Sequence, residues 1–152
     1  MTVAELETQV TAAMARRGIA DAADIGWACA WLEACGYPGV KLLAEALGDA
    51  ATDRALERDA IGIDLANVSC AFLAPRIMGD VTRHGRVFLR NVRHGLYLLP
   101  FTVRENTGIG CPVDPAFAVG GARTKNPYAE KLALAGEHGL TIDDSLLAAV
   151  LA

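Results

Sequence analysis

Apolar residues recur every three or four positions over the first third of the chain, which is the spacing of amphipathic helices. Thr2 and Glu5 have the spacing of a capping box, so the first helix is predicted to begin almost at the start. A break at Gly36-Tyr37-Pro38-Gly39 separates a second helix from a third, and Gly48 ends the third. Residues 49–60 are polar, which is compatible with a helix or with a linker, and we expect a helix over 52–59. This part of the chain is therefore predicted to be an antiparallel array of helices.

From Ile61 to Leu65 apolar residues alternate with small or polar ones, as in a half-buried strand, and a shifted alternation follows over Val68–Phe72. Arg83-His84-Gly85 and Arg93-His94-Gly95 then each precede a run rich in strand-forming residues. Because glycine permits positive φ, each triplet is predicted to form a turn. We expect residues 61–103 to form strands, with a central antiparallel β-meander around the two turns.

The predicted meander places its two turns at opposite ends of one strand. That strand, from Arg86 to Val92, would separate the turns by roughly 20 Å. Two histidines so far apart would not share a metal or form one acid–base pair within a chain. Alternation along the strand puts Arg86 and Arg90 on the side of solvent or a ligand. It puts Val87 and Leu89 in the core.

Residues 104–126 are rich in glycine and proline, and we expect a long loop there, a kind of segment that is often functional. Asn126-Pro127 predicts the start of a helix, because proline suits the first helical position. Thr141 is predicted to cap the last helix. The order of helices, strands and helices predicts an α+β fold, and the length predicts a single domain. Within residues 1–152 the predicted parts are helices at 1–60, strands at 61–103, the long loop at 104–126 and helices at 127–152.

Charge is unevenly distributed along the chain. Residues 1–75 carry a net charge of −6 and residues 105–152 carry −3, whereas residues 76–104 carry +5. The positive stretch owes its charge to six arginines: Arg76, Arg83, Arg86, Arg90, Arg93 and Arg104. A guanidinium group is a planar fork that matches carboxylate and phosphate. The arginines therefore either pair with acidic helices of the same or a neighbouring chain, or bind an anionic ligand. The overall acidity and the lack of a known binding motif argue against nucleic acid.

The strongest candidate for an anion site is the stretch from Gly120 to Asn126, directly before a predicted helix. Two glycines let backbone N–H groups converge, and a helix N-terminus adds unpaired N–H groups and the positive end of the dipole. The predicted ligand-binding residues are Gly120, Gly121, Arg123, Lys125, Arg86 and Arg90. The alternative is an ordinary helix start with solvated basic residues.

Catalytic candidates are few. Cys111 would be a nucleophile if a base lowered its pKa, with His94 or His84 as that base, and the alternative is a structural cysteine. Asp64, Asp80 and Asp114 offer carboxylates at no spacing that indicates a catalytic pair. The four cysteines form no CxxC pair and the three histidines are dispersed, so we expect no metal and no cofactor.

The helix break carries two resemblances. Trp31-Leu32, followed by Gly36-Tyr37-Pro38-Gly39, gives a W-L-x-x-x-G-x-P-G pattern that resembles the N-terminal signature of an uncharacterised proteobacterial domain-of-unknown-function family. That family has no known activity, so this resemblance implies no function. The break is also similar to the N-terminal part of the malate/L-lactate dehydrogenase family that lacks a Rossmann fold. In that family a Ser-His-Gly-Val motif carries a catalytic histidine, but Tyr37-Pro38-Gly39-Val40 has none here, which argues against hydride transfer.

Two classes of function remain open. The first is a non-catalytic, cytoplasmic bacterial protein that binds a small carboxylate or phosphate, as a homo-oligomer anchored by Trp27, Trp31 and arginines. The second is a small enzyme that acts on such an anion by acid–base or thiol chemistry. The sequence has no secretory signal pattern and no apolar run of the roughly 20 residues that a membrane span needs, so we expect no membrane partner.

Overall fold

The structure, a computed structural model, describes residues 1–113 and 115–152. Over these residues the fold is α+β with helices at both ends of the chain, as the sequence predicts. Its sheet has four strands and is mixed, whereas the sequence predicts an antiparallel meander. The helices are α1 (Val3–Arg16), α2 (Ala22–Ala34), α3 (Gly39–Leu47), α4 (Cys70–His84), α5 (Leu98–Arg104), α6 (Ala129–His138) and α7 (Asp144–Leu151). The strands are β1 (Ile63–Asp64), β2 (Val87–Arg90), β3 (Thr107–Val113) and β4 (Ala116–Ala122).

The chain divides into two compact units. We call them the helical unit, which comprises Met1–Gly48 and Asn126–Ala152, and the mixed unit, which comprises Asp49–Lys125. The helical unit contains α1, α2, α3, α6 and α7, and the mixed unit contains α4, α5 and the sheet. The prediction of a single domain stays a prediction.

Local signals predict the helical unit well. Thr2 Oγ1 accepts a hydrogen bond from the Glu5 backbone N–H at 3.0 Å, and Glu5 Oε2 accepts one from the Thr2 N–H at 2.8 Å, which confirms the capping box. Helix α3 ends before Gly48, as predicted. The last helix begins later than predicted, because its N-cap is Asp143 and not Thr141. The Asp143 carboxylate accepts the backbone N–H of Leu146 at 3.0 Å.

Helices α1 and α2 pack closely at Gly26. A Cβ atom at this position would lie 2.8 Å from the Glu7 carbonyl oxygen and 2.9 Å from the Thr11 backbone nitrogen. Only a residue without a side chain fits such an approach. This crossing buries the apolar stripe of α1, which includes Leu6 and Met14.

The mixed unit is built on a sheet in the order β1-β2-β4-β3. Strand β1 runs parallel to β2, whereas β2–β4 and β3–β4 are antiparallel. Helix α4 connects the two parallel strands. Along β2 the side chains of Val87 and Leu89 are 2% and 0% exposed, while Arg86 is exposed and Arg90 is half-buried. The alternation predicted for this strand is confirmed.

The predicted meander is wrong on both sides of that strand. The first triplet ends helix α4, with Gly85 as the C-cap residue. The second triplet leads into a short 3-10 turn at Gly95–Tyr97, which is followed by α5. The strand predicted over Val68–Phe72 is the start of α4, because the Ser69 side chain caps that helix by accepting the N–H of Ala71. The buried positions of α4 include 70, 73, 74, 77, 78 and 81, which is helical spacing.

Two further predictions fail in the mixed unit. The predicted long loop at 104–126 is largely a hairpin of β3 and β4, in which Gly108 permits close approach, since a Cβ there would lie 2.9 Å from the Gly120 carbonyl oxygen. The helix predicted at 52–59 is absent from the described structure, where that stretch holds a single β-bridge between Arg58 and Ile63. Of the strands predicted at 61–103, only β1 and β2 are present, and α4 and α5 occupy most of the rest. The loop predicted at 104–126 is wrong, whereas the helices at 127–152 are confirmed.

Candidate functional site

Most arginines of the positive stretch form ion pairs within the mixed unit. Arg90 pairs with Asp59 at 2.7 Å, and Arg93 pairs with Asp49 at 2.7 Å. Arg76 pairs with Asp53 at 2.5 Å, and Arg104 lies 3.5 Å from Glu105. Intrachain pairing, one of the two interpretations of this stretch, is thus confirmed for these residues. The aspartates come from residues 49–62, a connection without helix, and not from the acidic helices.

These pairs change the ionisation of the acidic partners. The Arg90 guanidinium, together with the backbone N–H groups of Ile61 and Gly62, holds the pKa of the Asp59 carboxyl far below its usual range. A hydrogen bond from Arg76 likewise lowers the pKa of Asp53. The guanidinium of Arg90, a predicted ligand-binding residue, is therefore paired with the Asp59 carboxylate of the same chain.

Arg86 is different from its neighbours in the sequence. Its side chain is exposed, and among the residues that the structure describes no hydrogen bond or ion pair engages its guanidinium. The guanidinium lies directly against Gly121, and a Cβ at Gly120 would lie 2.6 Å from the Arg86 Cα. The two glycines have φ of +127° and +79°. Strand β4 can pass Arg86 this closely because both residues lack a side chain.

A second arginine, Arg58, binds the backbone carbonyl groups at and before Arg86. Arg58 Nη2 donates to the Gly85 carbonyl at 2.8 Å, and Arg58 Nη1 donates to the Arg86 carbonyl at 3.2 Å. The same guanidinium pairs with the nearly buried Asp80 at 2.7 Å. Arg58 lies outside the arginine-rich stretch, so the charge pattern of the sequence does not single it out.

Arg123 is engaged inside the mixed unit. Its Nε donates to the Thr107 carbonyl at 3.0 Å, and its Nη2 donates to Thr102 Oγ1 at 3.0 Å. Its Nη1 donates to the Lys125 carbonyl at 3.1 Å. The side chain thus links the end of α5 to the sheet. Of the predicted ligand-binding residues, Arg86, Gly120 and Gly121 therefore lie together. The Arg123 guanidinium is hydrogen-bonded within the mixed unit, and Lys125 is exposed.

Among the described residues, Cys111 forms no hydrogen bond with either predicted base, His94 or His84. Cys111 is exposed on β3, and His84 is exposed at the end of α4. His94 instead bonds a serine, with its Nδ1 2.7 Å from Ser69 Oγ. Spacing gave no hint of this contact, which joins residues 25 positions apart. Because Ser69 is fully buried and caps α4, its hydroxyl is not accessible to a substrate in this conformation.

The carboxylates serve the fold as well. Asp80 binds Arg58, and Asp64 accepts hydrogen bonds from Asn91 at 2.9 Å and from the Ala66 N–H at 2.8 Å. The third candidate, Asp114, lies outside the described residues. Within the described ranges, no group of three His, Cys, Asp or Glu side chains is arranged to hold a metal ion. Nor is any helix in the described part of the chain long and apolar enough to cross a membrane.

Comparisons of the chain with models of protein families, with curated proteins and with solved structures found no match. Both family resemblances drawn from the helix break therefore stay predictions.

Proposed function

We propose that the protein is a non-catalytic binder of a small carboxylate or phosphate, and that Arg86 beside Gly120 and Gly121 is the anion site. One observation carries the proposal: the Arg86 guanidinium is exposed and has no partner in the described structure, whereas Arg76, Arg90 and Arg93 are each paired with an aspartate. Within the described residues Arg86 has no carboxylate partner, and its guanidinium packs at the two glycines, so it is available for an external anion.

The surroundings of Arg86 support recognition by a fork of N–H donors. The Arg86 guanidinium occupies the space that a Cβ of Gly121 would take, and this packing favours one orientation of the side chain before a ligand binds. A guanidinium held in this way offers two parallel N–H groups, the geometry that matches one carboxylate or one phosphate. Asp80, the nearly buried acid that pairs with Arg58, has its charge balanced by that pair, so it repels an incoming anion less.

The test is the thermal stability of the folded protein in inorganic phosphate and in succinate. A ligand that binds only the folded state stabilises it by about 2.7 kcal/mol when its concentration is 100 times Kd. We expect the parent to be stabilised by at least one of the two anions and Arg86→Ala to lose that response. Arg83→Ala is the matched control, because Arg83 is an exposed arginine of the same stretch.

Equal responses of the parent and Arg86→Ala would refute this site. Loss of the response in Arg83→Ala as well would show a general effect of charge. Arg86→Lys separates charge from shape, since lysine keeps the charge without the fork. We expect it to bind more weakly than the parent.

A second candidate function is a small acid–base enzyme with His94 as its base. The supporting observation is the hydrogen bond between Ser69 Oγ and His94 Nδ1, which orients the half-buried imidazole ring. The test is hydrolysis of p-nitrophenyl acetate and p-nitrophenyl phosphate by the parent and by His94→Gln. A higher rate of hydrolysis by the parent than by His94→Gln would support the enzyme. Equal rates for the two proteins would contradict it and favour the binding function.

Self-association and a cytoplasmic location belong to the same proposal. Ile61 is a large apolar side chain that is 64% exposed, and contact with a second copy would remove its apolar surface from water. The cysteines are free thiols, as is usual in a reducing compartment. Sedimentation velocity at high micromolar concentration tests self-association, and a monomer there would contradict it.

A further inference from the structure

We propose that the helical unit has a separate binding groove for a small amphipathic monocarboxylate, with Lys131 as its carboxylate-binding residue. The groove has a volume of about 560 Å³ and is bounded by the end of α2, by α6 and by residues 139–142. That volume lies within the range of small-molecule sites, about 300–1,000 Å³. None of its residues is among the ligand-binding residues predicted from the sequence.

The walls of the groove are mainly apolar. Leu134 and Ala135 line it from α6, and Leu140 and Ile142 line it from the following segment. Leu134 is 48% exposed although it is a large apolar side chain. A ligand that covered this wall would remove its apolar surface from water, which favours a ligand with a hydrocarbon part.

Lys131 supplies the charge. Its Nζ lies 5.7 Å from the centre of the Tyr37 ring, which is within the range of a cation–π contact. No carboxylate of the described residues forms an ion pair with it. The ammonium is also close to the buried thiol of Cys35. Burial raises the pKa of that thiol to about 11, and the positive charge of Lys131 opposes the rise.

The acidic residue of the groove faces a different partner. Glu33 Oε2 accepts the backbone N–H of Val40 at 3.2 Å, so its carboxylate compensates the start of α3. His138 lies 3.9 Å from Glu137 and is exposed at the rim. The groove thus combines an ammonium that has no carboxylate partner with an apolar wall.

This combination selects one ligand chemistry. A carboxylate pairs with the ammonium, and a hydrocarbon part of a few carbons covers the wall near Leu134. A phosphate dianion would leave most of its charge facing apolar atoms, which is unfavourable. An alkylammonium would meet Lys131 with like charge. The ligand class is therefore a short aliphatic or aromatic monocarboxylate, distinct from the compact anion proposed for Arg86.

The test is isothermal titration calorimetry of the full chain with hexanoate, hexylammonium and phosphate. We expect hexanoate to bind the parent at least about tenfold more tightly than hexylammonium does. Lys131→Met, which removes the charge and keeps an unbranched side chain of similar length, should weaken hexanoate binding about tenfold. Lys41→Met is the matched control, because Lys41 is exposed on α3 and does not line the groove. It should bind hexanoate like the parent.

Three outcomes would overturn the groove proposal: no binding of hexanoate to the parent, equal binding of hexanoate and hexylammonium, or equal binding by the parent and Lys131→Met. Lys131 is exposed, so neither Lys131→Met nor a second variant, Lys131→Gln, removes a buried group. The proposal of an anion site at Arg86 is tested independently of the groove proposal. Arg86→Ala should leave hexanoate binding unchanged, and Lys131→Met should leave the phosphate response unchanged.

Discussion

Arg90 and Asp59 form a two-bond ion pair in which Nη1 donates to Oδ1 at 3.1 Å and Nη2 donates to Oδ2 at 2.7 Å. The same carboxylate accepts the backbone N–H groups of Ile61 and Gly62, each at 2.9 Å. One aspartate therefore fixes both the turn before β1 and the exposed side of β2.

The first prediction concerns pH. The folded-state pKa of Asp59 is lowered from 3.8, so the ionised carboxylate stabilises the fold fully above pH 3.8. This contribution is lost as the pH falls from 3.8 towards the lower folded-state value. We expect Asp59→Asn to be less stable than the parent at pH 7 and the difference to shrink on acidification. Urea unfolding at pH 7 and pH 3 measures it, and a constant difference would contradict the prediction.

The second prediction separates backbone strain from the contact with Arg86. Gly121 and Gly18 both have positive φ, +79° and +70°, so alanine at either position adds strain of roughly 1–2 kcal/mol. A Cβ at Gly18 meets no atom within 4 Å, whereas one at Gly121 meets the Arg86 guanidinium. We expect Gly121→Ala to weaken phosphate binding and Gly18→Ala to leave it unchanged. If both variants bind phosphate like the parent, the packing of Arg86 against Gly121 does not prepare the site.

The third prediction concerns the two roles of Ser69. Its hydroxyl caps α4 and also bonds His94, whereas Asp143 caps α7 near the end of the chain. Loss of an N-cap costs about 1 kcal/mol. We expect Asp143→Ala to cost about that amount and Ser69→Ala to cost about 2–3 kcal/mol, because His94 also loses a hydrogen-bond partner. The free energy of unfolding in urea provides the comparison, and equal losses would show that the His94 bond adds no stability.

The fourth prediction uses two helical glycines. A Cβ at Gly26 would meet the backbone of α1, whereas one at Gly136 on α6 meets no atom within 4 Å. Alanine is the better helix former by about 1 kcal/mol, so Gly136→Ala should stabilise the protein by up to that amount. Gly26→Ala should destabilise it by about 1–3 kcal/mol, because α1 and α2 must move apart. Thermal unfolding of both variants checks the opposite signs, and stabilisation by Gly26→Ala would contradict the close crossing.

The sequence predicts those features that depend on near neighbours along the chain. The capping box of Thr2 and Glu5 involves residues three positions apart, and the alternation of Arg86, Val87 and Leu89 follows from the geometry of one strand. Such features need no knowledge of the path of the chain. They account for the confirmed helix α1 and for the inward face of β2.

The failed predictions are those in which two local patterns compete or a distant partner decides. Residues 68–72 alternate like a strand, but the longer run to Val81 has helical spacing, and the Ser69 cap favours the helix. Strand β4 contains few strong strand formers, yet it forms because β2 and β3 supply backbone partners on its two sides. The sequence around β4 alone therefore indicates a loop.

The charge pattern shows the same division. The sequence by itself determined that arginines concentrate between residues 76 and 104 and that acids precede them. Only the tertiary structure decided which of them meet, because Asp49 and Arg93 are 44 residues apart and Asp59 and Arg90 are 31 apart. Ion pairs over such separations depend on how the chain folds back. Most of the arginines in the positive stretch form ion pairs of this kind. Among the described residues, Arg86 packs against Gly120 and Gly121 and has no acidic partner.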